Sequence, residues 1–351
     1  MRHTRNRRLS RRDDGDTPNC GDGGGADTFF ALRVASVFIV LIGSLLGALF
    51  PVLARRSKSL KIPTSVYDFA KYFGSGVIIA TAFIHLLDPA IEELGDSDCL
   101  DPKWGDYPYA LALTLLSVFA TFIVEIIAFR WGSAKLAAIG VTNIPRGHGV
   151  ITHDPDDPQF NHGVDEEKLH ADSASVVLAQ NPTGFVADSA ATKMLGIAIL
   201  EFGILLHSVF IGLTLAVDPN FKILFIVIVF HQTFEGLGVG SRLAYLDLPK
   251  KYSYVPIVGA LLYGITTPIG IAVGLGIRTT YNPFSTTASI VSGILDSISA
   301  GILIYTGLVE LLAHEFLFSK DMMNGSNSKI IYAVTWMLLG CGIMALLGKW
   351  A

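Results

Sequence analysis

Eight stretches of about twenty predominantly apolar residues run through the chain, at 30–54, 69–91, 107–130, 193–217, 221–241, 253–277, 288–313 and 330–349. A helix needs about 20 such residues to cross the hydrocarbon core of a bilayer, because it rises only ~1.5 Å per residue. The expected fold is therefore an all-α polytopic membrane protein with eight transmembrane helices. Composition supports it. Of 351 residues 51% are hydrophobic and 16% charged, where a soluble domain is about a quarter charged. The mean hydropathy is +0.51. A net charge of −4 offers no general attraction to nucleic acid, and three cysteines cannot build a disulfide scaffold or a four-cysteine zinc module.

The connections orient the bundle. With the amino terminus outside, the loops after spans 1, 3, 5 and 7 are cytoplasmic and carry twelve Lys or Arg, among them Arg55, Arg56, Lys135, Arg242 and Lys250. The opposite loops carry Lys103, Lys222 and Arg278 alone. Basic residues concentrate on the cytoplasmic side, so both termini are expected to be extracellular. Six arginines within the first twelve residues run against this, but they lie far from the first span. The domain reading is an extracellular disordered tail at 1–29, helices 1–3 at 30–130, a cytoplasmic loop at 131–192 and helices 4–8 at 193–351. The loop is proline-bearing and acidic, with Asp154, Asp156, Asp157, Asp165, Glu166 and Glu167. Glycines recur inside the spans (Gly43 and Gly47, Gly74 and Gly76, Gly236, Gly238 and Gly240). Small residues let helix backbones approach closely in lipid.

Ionisable side chains inside such spans are costly and normally face a protein interior or a water-filled path. Span 4 carries His207 and Ser208; span 5 carries His231, Gln232 and Glu235. The four-residue spacing stacks His231 and Glu235 on one helix face. Two imidazoles and a carboxylate at mid-span form a candidate site for a borderline cation, since nitrogen and oxygen ligands suit zinc and also iron(II), manganese and cadmium; a proton relay would use the same residue types. In span 2, His85, Asp88 and Glu92 make one helical stripe, expected to line an entrance. Span 7 carries Asp296, Ser299, Glu310 and His314 on a compatible face, and Glu310 and His314 join the candidate ligands. Glu125 in span 3 is isolated and expected to be a structural hydrogen-bonding group. The loop histidines His148, His153, His162 and His170 are loosely spaced, which fits weak metal capture or an acidic linker equally.

The paired motifs His207-Ser208-Val209-Phe210-Ile211-Gly212 and His231-Gln232-Thr233-Phe234-Glu235-Gly236 resemble those of the ZIP (Zrt/Irt-like) metal-ion transporter family, its fungal and plant branch in particular. The resemblance covers all eight spans, the histidine-bearing loop and the span 7 segment from Leu295 to Glu310. It implies uptake of a divalent metal into the cytosol, with His207, His231 and Glu235 as main ligands, Ser208 and Gln232 adjacent, and spans 2 and 7 flanking. It also implies a homodimer and alternating access by relative movement of two helix bundles. The chain departs from the two-metal form of the family: Ile211 stands where that form has a glutamate, and Thr267 before Pro268 offers no carboxylate. One central ion is therefore expected.

The resulting reading is a zinc importer of the plasma membrane with no enzymatic activity and no bound cofactor beyond the transported ion. Alternatives are an iron(II) or manganese carrier, or an internal membrane. An intramembrane metalloprotease would need His-Glu-x-x-His, yet the sole His-Glu pair, His314-Glu315, is followed by Phe318 where the second histidine belongs. Cys20 and Cys99 fall on the same oxidising side, and about ten residues at ~3.3 Å each let the tail reach across a small bundle. A Cys20–Cys99 disulfide is expected over the metal entrance, against the alternative of two free thiols or a transient metal-capture pair; Cys341 is expected to be a small buried residue.

Overall fold

The structure, a computed structural model, describes residues 20–21, 28–57, 62–95, 99–138, 190–246, 248, 250–283 and 285–350. The tail before Cys20 and the loop bearing His148, His153, His162 and His170 lie outside the described residues. Eight helices are long and apolar enough to cross a membrane, and among the described residues there is no strand. They are α1 (Phe30–Arg56), α2 (Thr64–Gly95), α3 (Tyr109–Ala138), α4 (Ala190–Val217), α5 (Phe221–Ala244), α6 (Val255–Ile277), α7 (Thr286–Leu317) and α8 (Asn327–Leu347).

Hydropathy locates these helices because it marks the length that must sit in lipid; it does not mark where helical backbone stops. Helices α2 and α7 each run 32 residues, well past the apolar stretches at 69–91 and 288–313. Both contain a π-helical segment, Thr81–Leu87 in α2 and Gly307–Leu317 in α7. Local capping sets other ends. Ser285 and Ser326 accept hydrogen bonds from the backbone N–H of Ala288 and Lys329, satisfying donors that a helix start leaves unpaired. Pro256 opens α6, where its missing N–H costs nothing.

Helix α1 packs on α5 and α6, α4 on α6 and α7, and α2 on α5 and α8. The largest core cluster joins Ala48 and Val52 of α1, Ile78 and Leu86 of α2, Leu200 and Ile204 of α4, Val239 of α5, Tyr263 of α6 and Leu303 of α7. Protein covers 61% of the apolar stretch of α2 but only 22% of that of α3 and 17% of that of α8, so α3 and α8 form exposed flanks of the bundle. Since lipid tails are as apolar as leucine, close packing must supply the helix–helix attraction. Gly74 and Gly238 supply it between α2 and α5: a Cβ on Gly238 would lie 3.0 Å from the Gly74 Cα.

Successive helices are antiparallel, which gives the bundle two ends. At one, Cys20 and Cys99 are joined in a disulfide with a Cα–Cα distance of 5.4 Å. Gly21 accepts a hydrogen bond from the Asn282 amide (2.8 Å) and Cys99 one from the Thr286 hydroxyl (2.8 Å). This strap is thereby seated on the α6–α7 connection. At the same end Arg33, fully buried, donates to the carbonyls of Thr28, Leu215, Ala216 and Asp218 at 2.8 to 3.1 Å. Its guanidinium carbon stands 4.5 Å from the centre of the Phe221 ring. The end of α4 is thus capped by a side chain from α1. At the far end Arg242 pairs with Glu315 and donates to Ser75, while Lys71 Nζ lies 3.2 Å from Glu315.

Candidate metal-transport site

A common depth defines the site. His85 stands ten residues before Gly95, His207 ten before Val217, His231 ten after Phe221, Thr267 ten before Ile277 and Asp296 ten after Thr286. At ~1.5 Å per residue each therefore lies about 15 Å from the disulfide end of its helix. Close packing of α2, α4, α5, α6 and α7 turns this shared depth into proximity. The rings of His207 and His231 are 5.6 Å apart, and those of His85 and His231 4.8 Å apart, edge to face. His231 Nε2 lies 3.7 Å from Glu235 Oε2, one turn on in α5. His207 Nδ1 lies 3.6 Å from Asp296 Oδ1 of α7.

The polar atoms here are buried and largely unsatisfied. Both ring nitrogens of His207 and of His231, Oε1 of Glu235, Oδ1 of Asp296 and the hydroxyls of Ser208 and Ser299 have no hydrogen-bond partner in the protein. Each such group costs on the order of 1–3 kcal/mol, so their concentration at one depth points to a binding role. Among the described residues no three His, Cys, Asp or Glu side chains close on a single point as they stand. The donors come as two His–carboxylate pairs instead.

The remaining predicted residues divide. Gln232 is turned towards α6: its amide donates to the Thr267 hydroxyl. The Tyr263 hydroxyl sits 2.7 Å from both the Gln232 carbonyl and its side-chain oxygen, and 3.5 Å from Glu235 Oε2. Tyr263, which the sequence reading passed over, thereby ties α6 to the carboxylate. His85 was expected at an entrance; it is instead buried against His231, with Nε2 3.0 Å from the Met344 carbonyl of α8. Asp88 and Glu92 lie nearer the disulfide end and are exposed, while Glu93 is the partly buried one. The π turn explains the slip. Its i→i+5 bonding takes about one extra residue per turn, so a regular helical count from His85 arrives at Glu92 one position early.

Glu310 and His314 are not brought to the cluster. They sit in the π-helical part of α7, beyond Asp296 towards the far end, and fourteen residues past it is about 21 Å of ordinary helix. Glu125 accepts a hydrogen bond from Tyr305, the expected structural role. Cys341 is a free thiol and only half-buried, because α8 lies on the flank of the bundle.

Eight membrane-length helices, four of which bring imidazoles and carboxylates to one buried depth, have the form of a polytopic membrane protein with a candidate cation site in its core. Comparison with known proteins specifies it further. Residues 30–348 match the family described as ZIP Zinc transporter. The chain is 40% identical to Zinc-regulated transporter 1 of Saccharomyces cerevisiae, covering 91% of this chain and 87% of that protein. It is 39% identical to Zinc-regulated transporter 1 of Schizosaccharomyces pombe, covering 98% and 92%. Against Zinc transporter 3 of Arabidopsis thaliana the identity is 35%, over 91% and 84%. The chain belongs to the ZIP zinc transporter family. The family and these relatives are named for transport and not for an enzymatic reaction.

Proposed function

We propose that this chain moves zinc into the cytosol by alternating access, binding one ion at a time through His207, His231 and Glu235. The observation that carries the reading is the set of buried imidazole and carboxylate atoms without protein partners at one depth. Neutral imidazole nitrogens and carboxylate oxygens suit zinc. Ser208 adds an unpartnered hydroxyl, while Gln232, held by Thr267 and Tyr263, acts by positioning α5. A carrier has to release its ion, so moderate affinity is what this reading requires.

The disulfide end faces outside in this reading, supported by the oxidising chemistry a disulfide requires and by the basic residues of the opposite loops. The plasma membrane is the proposed location and a homodimer the proposed assembly, both on the strength of the family resemblance. Uptake of radioactive zinc into liposomes containing the purified protein tests the function. His207→Ala, His231→Ala and Glu235→Ala are each expected to remove most uptake while the protein remains in the membrane. Near-native uptake in any two of them would overturn the assignment. Iron(II), manganese and cadmium in the same assay decide the cargo.

A further inference from the structure

The two His–carboxylate pairs are alike in a way that the sequence motifs of α4 and α5 do not express. Nitrogen and oxygen are 3.7 Å apart in the His231–Glu235 pair and 3.6 Å apart in the His207–Asp296 pair. Both distances exceed a normal N–H···O hydrogen bond of about 3 Å. Zinc bonds of ~2.0–2.2 Å to nitrogen and oxygen at a tetrahedral angle place the two donors about 3.4 Å apart. The observed separations are a few tenths of an ångström from that value. Asp296 is 7% exposed, its Oδ1 lacks a hydrogen-bond partner, and one turn further along α7 the fully buried Ser299 hydroxyl is likewise unpartnered. The carboxylate is thus placed beside the His207 ring at a distance that suits a shared ion at least as well as a direct hydrogen bond.

We propose that Asp296 is a direct ligand of the transported ion, paired with His207 as Glu235 is paired with His231, and that it supplies the second carboxylate which Ile211 and Thr267 do not. With the ring centres of the two histidines 5.6 Å apart, the pairs form two neighbouring stations, and a single ion passes between them as the helices shift. The proposal rests on the zinc-transport reading, and wild-type protein serves as its control.

The test uses the full chain with Cys341→Ser as background, so that no native free thiol reports. Asparagine retains an acceptor oxygen for orienting His207 but loses the charge. Asp296→Asn is expected to weaken equilibrium binding of Zn2+ to the purified protein by roughly tenfold or more, with an unchanged melting temperature. Asp296→Cys is expected to shift uptake from Zn2+ towards Cd2+, as a softer thiolate ligand dictates, and bound Cd2+ is expected to protect the new thiol from alkylation. Wild-type affinity in Asp296→Asn, or alkylation of Asp296→Cys at the same rate with and without Cd2+, would overturn the proposal. If the asparagine variant does not fold, the alkylation result alone decides. Wild-type protein that neither binds nor transports zinc would instead sink the zinc reading itself.

Discussion

Among single residues, Arg33 shows how a charge inside a membrane protein becomes structural. The last carbonyls of α4 have no partners within their own helix, and the guanidinium of Arg33 accepts that duty for Leu215, Ala216 and Asp218. Its planar fork spreads five donors over three nitrogens in fixed directions, whereas a lysine ammonium carries three donors on a single nitrogen. Arg33→Met is expected to destabilise the protein by about 3 kcal/mol, the cost of leaving buried partners unpaired, and Arg33→Lys to recover little of it. Melting temperature in detergent measures this, and transport per folded molecule should stay near the wild-type value because Arg33 lies about ten residues from the depth of the histidines. Asp218 sits just beyond α4, where burial raises its carboxyl above the ordinary range despite the opposing pull of Arg33.

At the level of the helix, the π turn of α2 separates what periodicity reaches from what it does not. His207, His231 and Glu235 were legible as candidate ligands because an ionisable group in an apolar run stands out whatever its neighbours do. The choice between Glu92 and Glu93 was not legible: a π turn leaves no mark in a hydrophobic pattern, yet it rotates everything after it. Glu93→Gln is accordingly expected to lower zinc uptake several-fold, and Glu92→Gln to leave it within about twofold, since exposed surface substitutions seldom perturb a fold. Equal effects would place Glu92 back on the inner face. The His207–Asp296 pair was hidden for a different reason. Helical spacing orders residues on one helix but says nothing of the register between two. Only the count from each helix end, ten residues in every case, carries that information.

Across the whole molecule, the eight helices were readable because a bilayer imposes one length on them all. The extended ends of α2 and α7 were not, since polar ends continue as helix without apolar residues to mark them. The disulfide links the tail to the α2–α3 connection across a separation of 79 residues. Closing a loop of that size constrains the unfolded chain by about 4 kcal/mol in the entropic account. Cys20→Ser and Cys99→Ser are each expected to lower the melting temperature similarly, and the double variant no further. The proposed orientation has its own test. Asn324-Gly325-Ser326 is a valid glycosylation sequence that would face the cytosol, so no glycan is expected there. A mobility shift on deglycosylation that vanishes in Asn324→Gln would invert the bundle.

The shared depth of the histidines also has an electrical meaning. His231 lies ten residues into a helix of 24, so an ion that reaches it from the disulfide end has crossed about two fifths of the helix. One charge crossing the full membrane potential gains ~2.3 kcal/mol per 100 mV. If the field falls evenly along the helix, a divalent ion arriving at this depth gains roughly 1.8 kcal/mol per 100 mV. With the disulfide end outward, an inside-negative potential of that size is expected to tighten the apparent affinity for external zinc by a factor on the order of ten. Potassium diffusion potentials imposed on the liposomes measure it. A voltage-independent affinity would mean that bulk water follows the ion all the way to His231, and that the barrier holding back the field lies wholly on the side of Arg242 and Glu315.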